Sequence, residues 1–102
     1  MQNHLASRII SSENITSTGT SAQSGTAPFG ARVARIATSA SVNIVIGVNP
    51  TATAAGTLIE AGAPSYFVVI PASEPGGSDG EKIASIGTAT VNVTWLEGQA
   101  YG

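Results

Sequence analysis

The chain has 102 residues, a formal net charge of −2, no cysteine and a single histidine, and only 10% of its residues are charged. That length suits one domain. The lack of cysteine excludes disulfides and thiolate metal sites, and four Lys/Arg residues are too few for the clustered positive surface that nucleic-acid binding needs.

Ordinary soluble domains carry about 25% charged residues and use them to stay dispersed. Here glycine, alanine, serine and threonine take their place, which fits either a surface covered by partners in a large assembly or an ordinary β-domain with a Ser/Thr-rich surface. No apolar run approaches the length of a membrane span. The opening MQNHLASRII lacks a basic region followed by a long apolar block, so no signal peptide is expected.

Residues 1–12 hold a short apolar patch (Leu5, Ile9, Ile10) without sustained period. They read either as a disordered terminus or as an N-terminal arm that orders only against a neighbouring subunit. Residues 13–97 read as the β-domain and 98–102 as a fraying tail. Thr16, Thr18 and Thr20 keep a two-residue spacing that favours an edge strand over about 14–20, and a loop follows through Gly25 and Pro28. Residues 31–38 (ARVARIAT) form a second strand, with Val33, Arg35 and Ala37 on one side and Arg32, Ala34 and Ile36 on the other. A buried arginine needs a partner, so Arg32 and Arg35 are expected at a rim or against another chain, or else as two solvated surface arginines.

The stretch 41–62 anchors the reading. Val42, Ile44, Ile46 and Val48 alternate with Asn43, Val45 and Gly47, a period-two strand that Asn49-Pro50 stops. Residues 57–60 form a short strand closed by Ala61-Gly62-Ala63-Pro64. Residues 65–70 (SYFVVI) are apolar on both faces, as expected of a strand covered on both sides. The loop Pro75–Gly80 reads as the place most tolerant of insertion. Residues 81–87 and 90–96 close the domain as a hairpin around Gly87-Thr88-Ala89, with Val91, Val93 and Trp95 facing inward. The result is an all-β chain: a single small antiparallel β-sandwich or β-barrel of about seven strands with an extended N-terminal arm. Its expected core is Trp95, Phe67, Tyr66, Ile44, Ile46, Val93 and Ile83.

Chemistry is sparse. His4 has no carboxylate placed to orient it, as a nucleophilic triad requires. Glu74, Asp79 and Glu81 gather around the glycine-rich loop but lack the order of a calcium-binding loop. Tyr66 and Trp95 form a sugar-stacking platform only if they escape the core. No catalytic, cofactor or metal site is expected, and the chain reads as a non-enzyme.

Five segments then combine: Ser21–Ser24 (Ser-Ala-Gln-Ser), the arginine-bearing strand at Arg35, the turn Gly47–Thr53 (GVNPTAT), the strand Gly62–Val68, and Val91–Thr94 (Val-Asn-Val-Thr). Together they resemble small virion structural proteins of tailed bacteriophages. The resemblance covers most of the domain apart from the first dozen residues, and its motifs are a turn and strands. It implies a capsid decoration (cement) protein on the virion surface, assembled in the host cytoplasm. The implied partners are the major capsid protein and itself, as a homo-oligomer with a trimer favoured, with no cofactor, nucleic acid or membrane. The arm residues Leu5, Ile9 and Ile10, with Arg32 and Arg35, are then the candidate partner contacts. A phage neck or tail component is the alternative, and a carbohydrate-binding β-module a further one.

Overall fold

The computed structural model describes residues 5–101, and side chains over 8–97. His4 lies outside the described residues. Eight strands follow one another: β1 (Leu5–Thr18), β2 (Ala22–Gln23), β3 (Val33–Thr38), β4 (Val42–Gly47), β5 (Thr57–Ile59), β6 (Ser65–Val68), β7 (Lys82–Ile86) and β8 (Thr88–Tyr101). They build two four-stranded sheets, ordered β1-β8-β3-β6 and β2-β7-β4-β5, with every pairing antiparallel. Only β4 and β5 are both consecutive and paired; every other connection crosses between the sheets. This strand order is that of a jelly roll.

The expected all-β sandwich is therefore observed. The strand missing from the sequence reading is β2, two residues inside a stretch that looked like loop. The expected hairpin between the last two strands is corrected: β7 and β8 lie in different sheets, and Gly87 alone links them. One residue is too short for a two-residue hairpin turn, but it can turn a sheet corner if it takes a positive φ. Gly87 has φ 134° and Gly19, at the β1–β2 corner, has φ 91°. The two corners are tied together by Gly19 N–H donating to the Gly87 carbonyl at 3.1 Å.

The core lies between the sheets and follows the alternation in the sequence. Val42 and Ile44 from β4, Ile83 from β7, Ala34 and Ile36 from β3, and Val91, Val93 and Trp95 from β8 are all buried. Of the expected core, Ile46 and Phe67 are half-buried against this cluster. Tyr66 is outside it, 59% exposed. The inward face of β3 is cleanly apolar because Arg32 precedes the strand and is exposed.

Residues 5–12 are part of β1, laddered to β8 from Leu5 opposite Tyr101 through to Thr18 opposite Thr88. The boundary expected at residue 12 thus falls within a continuous strand, and β8 runs past residue 97, where fraying was expected. β3 pairs with β8 only as far as Leu96. Beyond that point β1 and β8 continue as a two-stranded ribbon, each the other's only ladder partner.

One polar residue braces the core. Glu13 sits opposite Val93, where its carboxylate accepts the Trp95 indole N–H at 3.0 Å and the Gly25 backbone N–H at 2.7 Å. Trp95 is 1% exposed, so removing that acceptor strands a buried donor at a cost of about 1–3 kcal/mol. Glu13→Ala is expected to lower the urea midpoint accordingly with little change in slope. An unchanged midpoint would show that the indole N–H finds another acceptor.

Candidate assembly surface

The residues that carry the phage-protein resemblance hold the fold together. Ser21 Oγ accepts the Ala52 backbone N–H at 2.8 Å, and the Gln23 side-chain amide donates to the Pro50 carbonyl at 2.7 Å and to Asn49 Oδ1 at 3.2 Å. Ser24 Oγ accepts from Ile83 N–H at 2.9 Å. The Ser-Ala-Gln-Ser segment and the GVNPTAT turn are thus two halves of one hydrogen-bonded clasp. Both motifs are explained by architecture, and neither presents a reactive group.

The glycine-rich loop behaves the same way. Asp79 Oδ1 accepts from Ser73 N–H at 3.0 Å and Oδ2 from the Ser73 hydroxyl at 2.7 Å. Glu81 Oε1 accepts from Ile70 N–H at 2.8 Å. The carboxylates are spent on their own loop, and among the described residues no group of three His, Cys, Asp or Glu is placed to hold a metal ion. The Ser73 hydroxyl, then its backbone N–H, hold the Asp79 carboxyl below its ordinary range. A depressed folded-state pKa contributes stability that is present above the unfolded value and is lost as pH falls through the folded one. The loop should therefore loosen only in acid. The Ser73 amide resonance is expected to titrate with a midpoint below the ordinary aspartate range, and Asp79→Asn should abolish that titration.

The feature without a structural explanation is the outer face of the β1-β8-β3-β6 sheet. Directly opposed residues share a face, so the register defines rows across it. One row runs Ile9, Leu96, Val33, Val68 through all four strands. The neighbouring row contains Thr94, Arg35 and Tyr66. Leu96 is buried yet belongs outside the inter-sheet core cluster, as expected of a residue hemmed in on the outer face. Toward the rims the row is open: Ile9 is 66% exposed and Val68 83%, with Ile70 beyond the end of β6 at 67%.

The candidate contact residues divide accordingly. Ile9 lies in this apolar row. Arg35 is half-buried in the next row, between Thr94 and Tyr66. Ile10 turns toward the core cluster, because the register shifts around Ile9 and inserts an extra residue there. Leu5 is laddered to Tyr101. Arg32 is exposed just ahead of β3, its backbone bonded to Leu96 and Val69. Tyr66, Val68 and Ile70 were not among the candidates. Trp95 and Tyr66 face opposite sides of their sheet, so they form no joint platform.

A cleft of about 330 Å³ opens between the sheets where β5 stops short of β4, lined by Ile44, Val45, Ile46, Ala55, Gly56, Thr57 and Phe67. It carries no side chain with a titratable or nucleophilic group apart from the Thr57 hydroxyl. No protein-family model, curated protein or solved structure matches this chain.

Proposed function

We propose that this chain is a non-enzymatic virion structural subunit, a capsid cement protein that self-associates and braces contacts between major capsid subunits on the particle surface. The observation that carries this reading is the apolar outer face, with Ile9, Tyr66, Val68 and Ile70 exposed on a chain with few charges to keep it apart from its neighbours. An uncovered apolar surface of this kind marks an interaction site. Jelly rolls occur in viral capsids and also in lectins, so the fold is compatible with this role and supports it only by analogy.

The test is binding to assembled particles. Purified chain is expected to co-sediment with capsids in hundreds of copies and to raise the temperature at which they release their genome. A dozen copies or fewer at one vertex would assign the chain to the neck or tail instead. A chain that stays in the supernatant and leaves particle stability unchanged would overturn the proposal.

A further inference from the structure

The free edge of β6 has the properties of a self-complementary joint. β6 is the last strand of its sheet, paired with β3 on one side only. Val69 N–H donates to the Arg32 carbonyl at 3.0 Å, and antiparallel ladders alternate between bonded and non-bonded pairs. Phe67 is therefore the next residue bonded to β3, and the N–H and C=O groups of Tyr66 and Val68 point away from it, along the open edge. The same two residues carry exposed apolar side chains on the outer face.

The open window is bounded at both ends. Pro64 has no N–H to offer. Ile70 has its N–H and C=O engaged by Glu81, through Oε1 at 2.8 Å and the backbone N–H at 2.8 Å. Between these stops no charged residue, proline or bulge blunts the edge, the usual means of keeping such a strand from pairing.

We infer that β6 pairs antiparallel with β6 of a second copy about a twofold axis at Phe67, joining the two β1-β8-β3-β6 sheets edge to edge. In that register Tyr66 stands opposite Val68 of the second copy, and each donates and accepts one backbone hydrogen bond, which uses every free group in the window. Tyr66 and Val68 form an aromatic–β-branched pair on the outer face, a favourable cross-strand combination. The two Phe67 rings meet on the inner face, over the cleft that Phe67 lines. One occupant thus accounts for two separate features, the bare edge and the gap beneath it. A stable pair buries ~800 Å² per partner, and Tyr66, Val68 and Ile70, all exposed, supply part of that surface. The companion edge strand β5, with Leu58 exposed, is placed to supply the rim. The joint specifies the self-association in the proposed function and does not depend on a capsid.

Sedimentation of the purified chain at about 50 μM, well above a micromolar dissociation constant, is expected to show a dimer. Val68→Lys should give a monomer that still melts cooperatively, with a midpoint that no longer rises with protein concentration, while Ile9→Lys, on the same face but at the opposite edge, should remain dimeric. A wild-type monomer, a trimer, or a dimer that survives Val68→Lys would overturn the inference. If Val68→Lys fails to fold, Phe67→Cys decides: in a chain without cysteine, mild oxidation should link two copies through residue 67. An uncrosslinked product would place the joint elsewhere. A dimer that ignores capsids would leave this joint standing and remove the cement role.

Discussion

Ile44→Asp should yield no folded protein. Ile44 is 2% exposed, in the middle of a strand with a ladder partner on either side: Thr57 of β5 and Ser85 of β7. The substitution removes a buried side chain, at about 2–5 kcal/mol, and leaves a carboxylate between two apolar sheets with no cation beside it, at several kcal/mol more. Together these match the whole stability of a domain this size, about 5–15 kcal/mol. The expected observation is insoluble protein, or soluble chain without a cooperative melt. The alternation in the sequence puts Ile46 on the same face and predicts the same outcome there. Both residues line the cleft, but Ile46 is half-buried where Ile44 is buried, so a carboxylate at 46 can reach water. Ile46→Asp should fold with a lowered midpoint, and equal loss in both variants would show that the cleft is closed in solution.

Gly80→Ala is expected to be nearly as damaging, although it adds one methyl group in a loop. A Cβ at residue 80 would lie 2.6 Å from the Ala27 carbonyl oxygen and 2.6 Å from the Ala72 nitrogen. Those two atoms are bonded to each other at 3.0 Å, so the methyl group would have to part a backbone hydrogen bond to fit. The Thr26 methyl carbon, 2.9 Å away, crowds the position as well, and moving it would leave the two backbone atoms in place. Overpacking of this kind with loss of the bond costs about 3 kcal/mol or more, a drop of roughly 10–20 °C in the thermal midpoint. Gly76→Ala, at the tip of the same loop with nothing within 4 Å of its Cβ but a φ of 78°, should cost far less, about 1 kcal/mol. On this geometry the tolerance expected of the Pro75–Gly80 loop should extend to its tip and not to its base.

What the sequence carried was facing. Alternation in β4 and β8 identified the buried residues Ile44, Val93 and Trp95 correctly, because a two-residue period is local and needs no knowledge of neighbours; in β3 it separated two faces without marking Ile36 as core. Strand order was illegible for the same reason. Nothing within residues 65–70 says whether an apolar strand is central and covered on both sides or lies at an edge with one side bare. The two cases have the same composition, and Tyr66 was assigned to the core on that ambiguity. Glu13 was unreadable as a brace, since its partners Trp95 and Gly25 are distant in the chain and only the fold brings them together. The exposed apolar row was legible in part. Ile9 stood out as an apolar residue in a polar terminus, but the other end of its row, Val68, was hidden inside a run that looked like core.

The placement of β8 between β1 and β3 has a consequence for biosynthesis. Among the described strands β8 is synthesised last, and its sheet is built around it, so while β8 is still in the exit tunnel β1 lacks its ladder partner and Trp95 is missing from the interior. Such a chain cannot acquire its native state piecemeal during translation. It should collapse late and all at once, at the slow rates of topologies dominated by distant pairings, with the bare edge of β6 exposed to other nascent chains in the interval. Stalled ribosomes carrying residues 1–87 outside the tunnel should show a protease-sensitive chain, and release of the full length should convert it to a resistant one in a single step.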